Sequence, residues 1–281
     1  MPDPRFLLTL PGVPRRLISR CAGAAARARL PLGLRRRLWP RLARRLGIER
    51  EQVPGEWEDY ASFLDLFTRP LPAPGRPLPD NDHWLSPADG LVVSRSPVCP
   101  EGTWLIKGTP YGGEELLPGA DPRALAGYEA YQIYLAPRDY HRYHAPCAMT
   151  VEAAWSGPGG LQPVDPGLVR RSMRVLATNR RVLLHGRTDE GEWIGLLFVA
   201  ALNVGGMRFR FDPSLGTAPM TRGLRRYDPP VRLGAGEEIG CFELGSTVVV
   251  FVPPGWKPLV EVGGRTQARV PFLAPDGATE H

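Results

Sequence analysis

The chain is nearly without lysine: Lys107 and Lys257 stand alone among 35 basic residues, and the rest are arginines. It also has no run of the roughly 18 apolar residues that a membrane-spanning helix needs. Phe6-Leu7-Leu8-Thr9-Leu10 is broken by Pro11 before it could serve as a secretory core, so neither export nor membrane spanning is expected. Four cysteines, Cys21, Cys99, Cys147 and Cys241, show no CxxC pair and no metal-ligand spacing, which points to reduced thiols. There is no Gly-x-Ser-x-Gly elbow, the sequence mark of one large class of serine hydrolases.

The arginines are unevenly placed. Residues 1–50 carry 13 of them against Asp3 and Glu49, a balance of +11, whereas the remainder of the chain is at −5. The basic pI therefore describes an N-terminal arm and not a basic fold. Within residues 14–48, Leu17, Ile18, Leu30, Leu34, Leu38, Trp39, Leu42 and Leu46 recur at spacings of three and four, which predicts one or two amphipathic helices interrupted near Pro31 and Pro40. A basic amphipathic helix with a tryptophan suits an anionic membrane interface, and a helix packed on its own domain gives the same pattern. Nucleic-acid binding is not expected, because no recognised binding motif accompanies the arginines. Residues 1–50 are thus set apart as a membrane-associating arm, and 51–281 as the main domain.

Residues 55–67 read as a helix with Trp57, Tyr60, Phe63, Leu64 and Phe67 on one stripe, followed by a proline-rich connector, Pro70 to Pro79. From Trp84 the texture changes to short apolar runs separated by Gly, Pro and Asp turns. Strands are predicted at Gly90–Ser94, Tyr131–Leu135, Thr150–Trp155, Arg181–Leu184, Trp193–Val199, Thr247–Val252 and Leu259–Val262, with a hairpin turn at Asp189-Glu190-Gly191. The expected fold class is α+β and mainly β, with antiparallel sheets in a barrel-like core and amphipathic helices at the N-terminus.

Three segments carry chemistry. Glu243-Leu244-Gly245-Ser246 leads directly into the β-branched run Thr247-Val248-Val249-Val250-Phe251. Glycine tolerates backbone conformations that leave the carbonyl before Ser246 open to the neighbouring hydroxyl, although a plain bend before a buried strand has the same sequence. Ser86-Pro87-Ala88-Asp89-Gly90 supplies an acid, in a context that also suits an Asx turn. Tyr134-Leu135-Ala136-Pro137-Arg138-Asp139-Tyr140-His141-Arg142-Tyr143-His144-Ala145-Pro146 supplies two histidines, whose facing depends on whether the segment is helical or extended. Acid, histidine and hydroxyl are the residue types that activate a serine. No third ligand accompanies the histidines, so no metal is expected.

In this order the three segments resemble the phosphatidylserine decarboxylases. Phe63-Leu64-Asp65-Leu66-Phe67-Thr68-Arg69-Pro70-Leu71 through Arg76-Pro77-Leu78 is similar to that family's N-terminal signature; Asn179-Arg180-Arg181-Val182, Ala201-Leu202-Asn203-Val204-Gly205 and Thr221-Arg222-Gly223 fall where later blocks lie. The resemblance runs from about Trp57 to Phe251. It implies a precursor that cleaves itself between Gly245 and Ser246 into chains 1–245 and 246–281, with Ser246 becoming a pyruvoyl group that takes the substrate amine as a Schiff base. It implies that Asp89, His144 and Ser246 form the relay for self-cleavage, and that His141 faces the substrate carboxyl and protonates the product. Arg138 and Asp139 are given a structural part, and His83, His185 and His281 none. Ala136 and Ala145 depart from the family pattern without removing a titratable group. The implied reaction is phosphatidylserine to phosphatidylethanolamine and CO2 at the cytoplasmic side of the cell membrane, by a peripheral enzyme and in a homo-oligomer or alone. An Asp-His-Ser lipid hydrolase, a non-catalytic membrane-bound β-protein and a decarboxylase of another amino-acid-like substrate are the alternatives. The arm holds no relay residue, so removing 1–48 is expected to release the protein from vesicles and leave self-cleavage intact.

Overall fold

The computed structural model describes residues 23–98, 103–106, 109–167, 174–201, 206–217, 219–243 and 245–277, the side chains of Pro122 and Arg123 excepted. Leu17, Ile18, Cys21, Cys99, Asn203, Val204, Gly205, Leu244 and His281 lie outside the described residues. The short apolar runs form one large antiparallel sheet. Its strands are β1 (Gly90–Pro97), β2 (Glu129–Leu135), β3 (Met149–Gly157), β4 (Arg181–Thr188), β5 (Trp193–Ala200), β6 (Gly223–Leu233), β7 (Ser246–Val252) and β8 (Arg265–Thr266). Their spatial order is β6-β3-β4-β5-β7-β2-β1-β8. The turn at 189–191 joins β4 to β5, with Gly191 at φ 86°.

The sheet stays open, which corrects the barrel-like expectation. The edge strand β6 carries Pro229 and Pro230, which have no N–H to donate, and its pairing with β3 slips between Arg226 and Val231. In contrast β7 is hydrogen-bonded on both sides, to β2 and β5, and every one of its residues is buried. Two-sided burial explains why it reads as an unbroken apolar run and not as an alternation.

Alternation instead sorts β7 between two cores. Val248 and Val250 join Tyr143, Phe198, Met207 and Phe242 on one face; Val249 and Phe251 join Trp104, Leu197 and Val199 on the other. By the same period Ser246 points to the first face. That face is covered by a small antiparallel sheet of Met207–Phe209, Glu238–Phe242 and Arg142–His144, which brings the histidine segment in as a strand. Leu259–Val262, expected as a strand, is a turn; the nearby strand is Trp256–Pro258, and Leu259 and Val262 lie at the surface.

The N-terminal layer packs against the rest. Helix α1 spans Leu32–Leu46, starting directly after Pro31 and ending at Gly47. Pro40 does not interrupt it: the helix runs through the proline and loses one backbone bond there. Trp39 and Ala43 share a cluster with Ile48, Val53, Tyr60 and Leu66, and Trp39 Nε1–H donates to the Tyr60 carbonyl at 2.8 Å. The predicted helix over 55–67 is in fact a 3-10 turn, Trp57–Asp59, and a helix α2, Phe63–Phe67. Ser62 divides them, because it caps α2 by accepting from the Asp65 N–H while Asp65 accepts from the Ser62 N–H. Leu32, Leu34 and Leu38 of α1 remain exposed.

Candidate active site

The three chemical segments meet at one end of the large sheet. Ser246 lies opposite Leu135 of β2 and Ala200 of β5, and Leu91 of β1 lies opposite Tyr134. Asp89, Ala136, Gly245 and Ala201 are the residues just beyond those strand ends. Gly90 permits the approach: a Cβ there would stand 2.3 Å from the Tyr134 carbonyl oxygen. Gly245 adopts φ 51°, a left-handed conformation that suits glycine, and its carbonyl accepts the Ala201 N–H at 3.0 Å. The Ser246 hydroxyl is buried with no hydrogen-bond partner among the described residues. A buried hydroxyl left unpaired beside a carbonyl that accepts a backbone N–H is costly unless it has a use.

The turn 136–140 delivers the histidines. His141 Nδ1–H donates to the Asp139 carbonyl at 2.8 Å, so Nε2 carries the lone pair, and that nitrogen has no partner. Burial drives its pKa down to about 3, with the Arg69 charge adding to the effect against the Asp139 hydrogen bond. His144 is fixed in the same tautomer: Nδ1–H donates to the Gly236 carbonyl at 2.9 Å, and Nε2 accepts the Tyr140 hydroxyl at 3.0 Å. Burial lowers its pKa as well. Both imidazoles are therefore neutral bases at pH 7 with the lone pair on Nε2, that of His144 accepting the Tyr140 hydroxyl.

Asp89 has other partners. Arg76 grips its carboxylate at 2.5 and 2.8 Å, and the Ala268 N–H donates to it at 2.8 Å. The Pro87 carbonyl accepts the His144 N–H at 2.8 Å, so the Asp89 segment runs directly beside that histidine. No hydrogen bond links Asp89, His144 and Ser246 to one another among the described residues. Asp89 and His144 are joined through intermediaries instead: the Arg76 guanidinium lies over the Tyr140 ring at 5.7 Å, and the Tyr140 hydroxyl reaches His144. Arg76 and Tyr140 stood in the sequence motifs without a role, and the Gly236 carbonyl and Ala201 N–H carried no side-chain signal at all. Asp139 accepts the Ala136 N–H at 2.7 Å and pairs with Arg265, contacts that brace the turn. Another ion cluster sits next door, where Glu243, two residues before Gly245, is held by Arg208 at 2.7 Å and by Arg27 of the N-terminal arm.

The buried histidines set a pH dependence. Below about pH 6.5 an unfolded chain binds protons that folded His141 refuses down to about 3, and His144 and His185 are shifted in the same direction. Their contribution to stability is complete above 6.5 and is lost as the pH falls. Asp139, whose pKa is raised by burial, works in the opposite sense. The urea midpoint should fall between pH 7 and pH 5, and His141→Asn should flatten that slope; an unchanged slope would show that His141 is protonated in the fold.

The chain is similar to known proteins over most of its length. The model of a family described as phosphatidylserine decarboxylase matches residues 63–273. A phosphatidylserine decarboxylase proenzyme of Halorhodospira halophila is 39% identical over 250 residues, covering 86% of this chain and 83% of that protein. One of Bordetella bronchiseptica is 35% identical over 275 residues, covering 93% and 91%. One of Anaeromyxobacter sp. is 34% identical over 264 residues, covering 91% and 92%. Shared along nearly the whole of these relatives and matched from α2 to the last strand, the chain belongs to the phosphatidylserine decarboxylase family.

Proposed function

We propose that this protein decarboxylates phosphatidylserine to phosphatidylethanolamine after cutting itself between Gly245 and Ser246. The observation that carries the reading is the unpartnered, buried Ser246 hydroxyl placed after a left-handed glycine whose carbonyl accepts a backbone N–H. In the precursor, His144 exchanges the Tyr140 hydroxyl for that of Ser246 and takes its proton at Nε2. The Ser246 oxygen adds to the Gly245 carbonyl carbon, with Ala201 N–H stabilising the developing oxyanion. The proton ends on the Ser246 nitrogen as the amide bond breaks, leaving an ester. A base takes the Cα proton of residue 246 as its Cβ–O bond breaks, which frees the Gly245 carboxylate and leaves a dehydroalanine. That residue takes up one water and releases one ammonia at the new N-terminus. The Asp89 carboxylate, gripped by Arg76, lies beside the imidazolium that forms.

The residues fit the pyruvoyl group that results. The small chain keeps β7 bonded on both sides after the cut, so the new terminus stays where Ser246 stood. That group supplies an electron sink conjugated to the substrate amine, which amino-acid decarboxylation requires. His141 enters the cycle neutral and accepts hydrogen bonds at Nε2. Any proton it passes to the product carbon is first taken up there, at a nitrogen whose low basicity makes it a strong acid once charged. Release of CO2 from phosphatidylserine, with free serine as control, tests the reading: hydrolysis without CO2 overturns it.

The arm supports action at a membrane from the cytoplasmic side. Among the described residues no helix is long and apolar enough to cross a bilayer. Leu34 and Leu38 instead lie exposed on α1 among arginines, a pairing of apolar and basic groups suited to an anionic interface. Deleting residues 1–48 would also strip Trp39 from Tyr60 and Arg27 from Glu243, so surface substitutions isolate the membrane contribution better. Leu34→Ser with Leu38→Ser should weaken co-sedimentation with anionic vesicles by roughly tenfold or more, from the lost burial of two leucines. Self-cleavage should be unchanged, and equal vesicle binding would remove α1 from the interface.

A further inference from the structure

Arg69 is fully buried and has no carboxylate of its own among the described residues. Its Nε–H donates to the Gln52 carbonyl at 3.0 Å, and Nη2 donates to the Arg138 carbonyl at 3.1 Å and to the Gln52 side-chain oxygen at 3.4 Å. Nη1 has no partner. The acidic groups whose charge reaches it, Asp89 and Asp139, are each already claimed by another guanidinium, Arg76 and Arg265. Both histidines alongside are neutral. One positive charge is therefore left inside the fold without a counter-ion, among the most expensive arrangements a protein retains. Stapling Gln52 to Arg138 needs only neutral donors and does not account for it.

The position of Arg69 is equally specific. It follows Phe67, whose ring centroid lies 3.9 Å from that of His141, and Thr68, whose carbonyl accepts Arg142 Nε–H at 2.9 Å. It thus lies between the N-terminal layer and the catalytic turn. A cavity of 330 Å³ on this side is lined by Glu51, Gln52, Arg76, Tyr140 and Gln267 among its polar residues. Gln52 both lines that cavity and holds Arg69.

We propose that Arg69 receives the phosphodiester of the substrate headgroup, reached through this cavity and displacing the long Gln52 side-chain contact. The inference rests on the phosphatidylserine reading above. The phosphate is favoured over the carboxylate on two grounds. An ion pair to the carboxylate would be lost as CO2 departs and would hold the ground state back, whereas a phosphate contact persists through the reaction. The path from the N-terminal layer through Arg69 to the turn that carries His141 also follows the order acyl chains, phosphate, serine along the lipid.

The test uses self-cleaved enzyme and short-chain lipids. In Arg69→Gln the KM for dihexanoyl-phosphatidylserine should rise about tenfold to a hundredfold, with kcat within about threefold of the parent. The Kd of dihexanoyl-phosphatidylethanolamine, which keeps the phosphate but not the carboxylate, should rise by the same factor in calorimetry. Arg69→Lys should recover part of both. A rise in KM with unchanged phosphatidylethanolamine binding would place the carboxylate at Arg69 and overturn the proposal; so would no change in either. Failure of both variants to fold or cleave would make Arg69 structural and overturn it too. The calorimetry needs no turnover. Arg69-dependent phosphatidylethanolamine binding by a wild type that releases no CO2 would therefore sink the proposed reaction and leave the phosphate site standing.

Discussion

Ser246→Ala should leave the protein as a single chain of 281 residues with no measurable decarboxylation. The substitution removes one oxygen from a fully buried site where that oxygen has no hydrogen-bond partner, so the sheet should be undisturbed. Val248 and Val250 keep their places in the core, and the pairing of β7 with β2 and β5 does not involve the side chain. Under the proposed reaction the substitution removes the atom that attacks the Gly245 carbonyl and the source of the electron sink. Loss of a covalent nucleophile commonly costs about 10⁴-fold or more, here below detection because the cofactor is never made. Denaturing gels and CO2 release read the two consequences separately. An alanine variant that is uncleaved yet active would detach the reaction from residue 246.

The histidines should divide by step. His144→Ala should block or greatly slow self-cleavage, because its Nε2 lone pair, oriented by Nδ1–H donation to Gly236, is the one proposed to take the Ser246 proton. His141→Ala should still cleave, at least in part, and then turn over about 10²- to 10⁴-fold more slowly, the range for loss of a positioned acid–base group. Asp89→Ala should impair cleavage by two routes: it withdraws negative charge from beside His144, and it leaves Arg76 without its partner in the turn that holds the His144 N–H. Quantifying precursor against time, then assaying whatever has cleaved, separates these effects. Rapid cleavage in His144→Ala together with none in His141→Ala would reverse the assignment.

Legibility in the sequence followed the range of the interactions. The run Thr247–Phe251 announced a buried strand because two-sided burial leaves its mark on every residue. The Asp89, His141–His144 and Ser246 segments were visible as residue types in order, and the fold does carry them to one end of one sheet. What the residues do with one another was less visible. His144 bonded to Gly236 and Gly245 to Ala201 are contacts across distant parts of the chain, made through backbone atoms that every residue possesses, and the pairings of Asp89 with Arg76 and His144 with Tyr140 depend on how the turns fold. Local signals also misled. Pro40 has the sequence mark of a break, yet packing of Trp39 and Ala43 on Tyr60 and Leu66 carries the helix through it. The stripe from Trp57 to Phe67 suits one helix, but the Ser62 cap starts a second. An open and a closed sheet share the same alternation, and the sheet here ends at β6 and β8 without pairing them.

Intact-mass analysis of the purified protein tests the central claim most directly. Self-cleavage at Gly245-Ser246 predicts a large chain ending at Gly245 and a 36-residue chain covering 246–281. The small chain should be resistant to N-terminal sequencing and lighter by one ammonia than a peptide beginning with serine. A single uncut chain, or a small chain with an ordinary serine at its N-terminus, would contradict the account.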